Sequence, residues 1–259
     1  MDRRVLITGA SQGIGLEFAK LFARDKYDLV LLARDKARLE ELAAELREKQ
    51  RVKVLVLPKD LARPGAAVEI FQELKTAQME IDVLVNNAGF GANGRFAQLD
   101  WQRHADLLQV NVTALLQLTH LFLPAMLARR SGKILNVAST AAFVPGPFQA
   151  MYYASKSFVH SFTQALAEEL SSTGVTVTGV YPGVTRSQFH ARAGIGERPT
   201  NFIMMEASTV AEIGYRGLMA GKRLVVTGLR NKTLIAALKL VPVRLATKGA
   251  RKANQIKEG

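Results

Sequence analysis

A chain of 259 residues, 48% of them hydrophobic, can bury one sizeable core. It contains no cysteine, which excludes disulfide-stapled secreted folds, thiolate nucleophiles and zinc-thiolate sites. The formal charge of +13 suggests a nucleic-acid binder, but ten Lys/Arg and a single acid follow residue 221, so the excess sits in a tail and no nucleic acid is expected as a partner.

The N-terminus runs almost at once into the apolar residues 5–8, too short a run for a signal-peptide core, and reads as a first strand; a cytoplasmic protein is expected. Comparable runs rich in Val, Ile and Leu recur at 28–33, 53–57, 83–86, 133–137, 175–181 and 223–227, each of strand length and apolar on both faces. Between them, apolar residues at helical spacing mark 15–25, 36–49, 99–129 and 152–173. Parallel neighbours need crossover helices, so the alternation predicts an α/β Rossmann-type fold: a doubly wound, mainly parallel sheet of seven strands with helices on both faces. No stretch of about eighteen uninterrupted apolar residues occurs, which argues against a spanning helix. Gly194, Gly196 and Pro199 among charged residues predict a mobile substrate loop near 188–206. The expected division is a catalytic domain over 1–230 and a basic amphipathic tail over 231–259.

The first strand leads into Thr8-Gly9-Ala10-Ser11-Gln12-Gly13-Ile14-Gly15 and then directly into a helical pattern. Glycines here let the backbone approach a pyrophosphate, and the N–H groups of the helix start point at the anion. The spacing is G-x-x-x-G-x-G. About twenty residues on, the second strand ends in Arg34, where dinucleotide folds contact the adenosine ribose. A planar cation there suits the 2′-phosphate of NADP, although Asp35 beside it carries the opposite charge.

Tyr152 and Lys156 are four residues apart and share a helix face. A phenol is a poor acid/base at neutral pH, and an ammonium beside it favours the phenolate. Tyr153 points elsewhere on the helix. Ser139 closes the strand over 133–137, thirteen residues before Tyr152, and Asn86-Asn87-Ala88-Gly89 closes the fourth strand at the same edge. Asn111 lies in the amphipathic stretch between them.

With these motifs in this order the sequence resembles the short-chain dehydrogenase/reductase family, from about Arg4 to Phe189 and more weakly to Gly228. The resemblance implies an NADP(H)-dependent oxidoreductase. Tyr152 would be the proton donor and acceptor, Ser139 would bind the substrate oxygen, Lys156 would bond the nicotinamide ribose, and Asn111 would hold a relay water. Gly9, Gly13 and Gly15, with Ser11, Gln12 and Ile14 between them, would form the cofactor turn. Asp60 and Leu61 would meet the adenine; Asn87, Ala88 and Gly89 would pack along the cofactor. Pro182, Gly183, Val184 and Thr185 would contact the nicotinamide carboxamide, with Ser187 an alternative to Thr185 because many relatives carry the threonine there. A homodimer or homotetramer through the helices near 99–129 and 152–173 is implied too.

The expected reaction moves a hydride between nicotinamide and a ketone, aldehyde or secondary alcohol, with Phe90, Phe143, Phe189, Phe202, Met204 and Met205 as candidates for an apolar substrate wall. The alternative is a nucleotide-sensing protein that retains the fold. The histidines, at 104, 120, 160 and 190, form no metal-binding pair, so no metal is expected. In the tail, residues 233–245 are mainly apolar, interrupted by Pro242 and flanked by Arg230, Lys232, Lys248, Arg251 and Lys252. Such a segment either lies in a membrane interface as a peripheral contact or packs as a helix on the body.

Overall fold

The computed structural model describes residues 3–186 and 204–255. Seven strands form one sheet: β1 (Arg4–Thr8), β2 (Asp28–Ala33), β3 (Val54–Pro58), β4 (Val83–Asn86), β5 (Gly132–Val137), β6 (Val175–Tyr181) and β9 (Leu224–Val226). Their order is β3-β2-β1-β4-β5-β6-β9, and every pairing is parallel. The order reverses at β1 and β4. In a doubly wound sheet a crevice opens there, outside the carboxyl ends of the strands.

The helices are α1 (Gly13–Arg24), α2 (Lys36–Gln50), α3 (Ala66–Thr76), α4 (Trp101–Leu108), α5 (Ala114–Ala128), α6 (Ala150–Glu169), α7 (Ala207–Met219), α8 (Leu229–Leu238) and α9 (Val243–Asn254). Side chains alternate across each strand, so Val5 and Ile7 face α1, α2 and α7, while Leu6 faces α3, α5 and α6. Phe18 and Phe22 of α1 are fully buried, each contributing roughly 1.5–3 kcal/mol of transfer free energy.

The structure departs from the sequence reading in a few places. β3 is not buried on both faces: Leu55 and Val56 are only half-buried, because this is the sheet's edge. Helix α3 has a narrow stripe of Ala66, Ala67, Ile70 and Leu74, half of it alanine, and its periodicity does not stand out in the sequence. The stretch from Trp101 to Ala128 is a single helical rod with a π turn at Gln109–Thr113. By length and composition it could cross a membrane, but α5 packs on α3, β4 and β5 as a core helix. The end of the anticipated loop, Met205–Glu206, is a short strand β8 paired with β7 (Thr185–Arg186). The rest of that loop, with Ser187, Phe189, His190 and Phe202, lies outside the described residues. In the tail, Pro242 separates α8 from α9 and caps the latter.

Candidate active site

The glycine turn is held by its neighbours as much as by its own sequence. Gly9 and Gly13 take positive φ, +68° and +56°, which L side chains rarely adopt. The Thr8 hydroxyl donates to the Val85 carbonyl at 3.2 Å and accepts from the amides of Asn87 and Ala88, both at 2.9 Å. The Asn87 amide donates in turn to the carbonyls of Thr8 (2.9 Å) and Gly9 (3.2 Å). This network sews the end of β4 to the turn. Gln12 precedes α1 without a side-chain cap, and no acidic residue lies in the first turn, so the helix start presents N–H groups to an anion.

A cleft of about 710 Å³ opens along this edge. Gly9, Ser11, Gln12, Gly13, Ile14, Arg34, Asp60, Leu61, Asn87, Ala88 and Gly89 line one part of it, and Ser139, Tyr152, Lys156, Pro182, Gly183, Val184 and Thr185 line another. Two of the expected residues are not part of this lining. Gly15 does not line the cleft: it stands behind the turn, where a Cβ would overlap the Gly9 carbonyl oxygen and the Asn87 amide. Asn111 also stands behind the wall. Its side-chain amide donates to the Phe90 carbonyl (3.0 Å) and Ser155 Oγ (3.1 Å), and its Oδ1 accepts from the Phe90 amide (3.0 Å).

Lys156 is buried, and its Nζ donates to the Val137 carbonyl at 2.8 Å while standing 5.9 Å from the centre of the Tyr152 ring. Burial alone pulls its pKa down to about 8, because the ammonium loses its hydration. Gly89 lies close beside it: a Cβ there would approach Lys156 Nζ at 3.4 Å and Asn111 Oδ1 at 3.1 Å. Ser139 caps the short turn that follows β5, its Oγ accepting from the Ala141 amide at 3.1 Å and lying 3.5 Å from the Pro182 carbonyl. That last bond is weak, so the hydroxyl proton can turn toward a ligand oxygen. Thr185 donates to the Gly183 carbonyl at 3.1 Å.

At the other end, Asp35 is occupied. It caps α2 by accepting from the Arg38 amide (3.1 Å) and pairs with the Arg38 guanidinium (3.3 Å), which leaves Arg34 held only loosely by Asp60 at 3.8 Å. Phe90 lines the cleft as expected, but Phe143 does not; it packs against His160 and Tyr181 in a core cluster.

Sequence reasoning missed one contact altogether. Asn254, near the end of α9, is buried, and its Oδ1 accepts from Gln149 Nε2 (3.2 Å) and the Tyr153 hydroxyl (3.3 Å) while its amide donates to the Pro147 carbonyl (3.2 Å). Gln149 and Tyr153 both line the cleft at the start of α6. Asn254→Ala should therefore raise KM for the organic substrate about three- to tenfold with little change in cofactor KM, as expected for bonds worth about 1 kcal/mol each. Steady-state kinetics checks this; equal changes in both KM values would mean a general loss of fold.

Comparison with known proteins agrees with the geometry. The family model described as short chain dehydrogenase matches residues 3–197. Sulfoacetaldehyde reductase 2 of Chromohalobacter salexigens is 38% identical over 194 residues, covering 73% of this chain and 75% of that protein. A short-chain dehydrogenase from Sphingobium yanoikuyae, solved in complex with NADPH, superposes with a TM-score of 0.84 at 35% identity over 99% of this chain and 97% of its own. The bulky-bulky ketone specific alcohol dehydrogenase from Comamonas testosteroni gives a TM-score of 0.80 at 30% identity, covering 99% and 96%. With three quarters of its length matched by the family model and its parallel sheet shared with these solved structures, the chain belongs to the short-chain dehydrogenase family of oxidoreductases.

Proposed function

We propose that this oxidoreductase reduces apolar ketones or aldehydes with NADPH, or oxidises the matching secondary alcohols, with Tyr152 as the acid/base. The observation that carries this reading is that Tyr152, Lys156 and Ser139 open onto the same cleft as the glycine turn. The cleft fits a dinucleotide: the uncapped start of α1 suits a pyrophosphate, and Gly89 leaves room that a Cβ would fill.

When bound, the nicotinamide supplies the hydride that joins the carbonyl carbon. Ser139 and Tyr152 hold the carbonyl oxygen by donated hydrogen bonds, so charge gathering on oxygen meets donors already in place. Tyr152 passes its proton to that oxygen, and the phenolate left behind is stabilised by the Lys156 ammonium. In the oxidative direction the same phenolate takes the alcohol proton. Asn111 keeps Phe90 and Ser155 in register behind this group. The nucleotide-sensing alternative finds no support in relatives named as reductases and dehydrogenases.

Arg34 underlies the preference for NADPH, since its guanidinium is largely exposed and Asp35 is engaged elsewhere. NADPH should be preferred to NADH by at least about tenfold, equivalent to roughly 1.4 kcal/mol, and Arg34→Asp should erode or invert the ratio. Parallel assays with both cofactors against a panel of ketones and aldehydes test the cofactor and the reaction class together. Equal use of both cofactors by the unaltered protein contradicts the Arg34 role; no turnover with any carbonyl contradicts the reaction. A homodimer or homotetramer is proposed through α4, α5 and α6, where Trp101 and Phe158 remain exposed, with light scattering as its measure.

A further inference from the structure

Large apolar side chains of the described residues are mostly inside, and the C-terminal two-helix segment of α8 and α9 breaks that pattern. At its turn Leu240 is 87% exposed and Val243 66% exposed, with Leu245 and Leu234 also in solvent. Residues 229–255, which carry this apolar turn, hold seven Lys or Arg and no acid. None of those seven pairs with a described carboxylate.

The segment is nevertheless built into the body at both ends. Ile235 is buried, and a Cβ on Gly183 of the cleft wall would meet the Asn231 side chain of α8. At the far end Asn254 bonds Gln149 and Tyr153, and the Arg251 guanidinium lies 5.7 Å over the Phe148 ring. Folding has thus fixed the two-helix segment beside the cleft while leaving its apolar turn uncovered, the reverse of what burial alone would select.

We infer that this segment docks the protein on an anionic lipid surface, with Leu240, Val241 and Val243 entering the headgroup boundary and the cations meeting lipid phosphates. A second copy of the chain would cover the apolar turn but would set one unpaired cationic cluster against another. A nucleic acid would neutralise the cations and leave the leucine and valines in water. An anionic bilayer satisfies both features at once, and helices of 10 and 12 residues separated at Pro242 are too short to span it. The inference does not depend on the reaction proposed above.

Co-sedimentation of the full chain with phosphatidylcholine vesicles, with and without phosphatidylglycerol, tests it. Pelleting should require the anionic lipid, and apparent binding should weaken at least about tenfold in high salt and in the Leu240→Glu, Val243→Glu double variant. Both side chains are exposed, so the double variant should keep its melting temperature and carbonyl turnover. Three results would overturn the inference. They are no pelleting of the intact chain at low salt, pelleting unaffected by the double variant, or a lipid-free dimer that the double variant dissociates, which would make this face a contact between copies. Binding to a short DNA duplex that is tighter than binding to anionic vesicles and indifferent to the double variant would also overturn it.

Discussion

Tyr152→Phe should lower carbonyl turnover by about two to four orders of magnitude while leaving cofactor affinity within about a factor of two. The substitution removes the transferable proton and keeps the ring, which stands buried beside Lys156. Tyr153→Phe is the matched control. Among the described residues its hydroxyl bonds only Asn254, at 3.3 Å, so its loss should cost about 1 kcal/mol or less and leave turnover nearly intact. Reversed effects, or full activity in both variants, would remove Tyr152 from the mechanism. The same pair sets a pH dependence. Burial holds Lys156 at about 8, and only the ammonium stabilises a phenolate, so kcat/KM for reduction should fall as pH rises through that value. A reductive profile that stays flat well above pH 8 would show that Lys156 keeps its proton through another partner.

Gly15→Ala should weaken cofactor binding by roughly tenfold to a hundredfold, the equivalent of about 1–3 kcal/mol of overpacking. The added methyl would overlap the Gly9 carbonyl and the Asn87 amide, and neither can move alone. Gly9 is locked at φ +68°, and the Asn87 amide already bonds the Thr8 and Gly9 carbonyls. The turn would have to rise into the cleft, where Gly9, Ser11 and Gln12 form the wall. Gly249→Ala is the contrasting case: it lies in α9 with open space around its Cβ position, and should be neutral or stabilising by roughly 0.5–1 kcal/mol through helix propensity. Cofactor titration and thermal melting of the two variants measure the difference. Unchanged affinity in Gly15→Ala would mean that the turn tolerates displacement without loss of its anion site.

The division between what sequence and structure decide follows the range of the interactions. Parallel strands flanked by helices must be apolar on both faces, so residues 28–33 or 175–181 are recognisable without any knowledge of their neighbours. Tyr152 and Lys156 are equally legible, since four residues on a helix place two side chains together whatever the rest of the chain does. Where the outcome depended on a partner far along the chain, the sequence was silent. Whether β3 is covered on both faces depends on its place at the sheet edge, and the position of Gly15 behind the cleft depends on the approach of Asn87 from the end of β4. Asp35 could not be separated from Arg34 by composition; only the start of α2 assigns its carboxylate to Arg38. The tail shows the division most clearly. Its charge, its apolar residues and its interruption at Pro242 are local properties, written in residues 229–255 alone. That Asn254 reaches Tyr153 across 101 residues, and so fixes the end of the basic tail beside the cleft, is decided by tertiary packing, because no local periodicity encodes a bond between groups that only the folded sheet brings together.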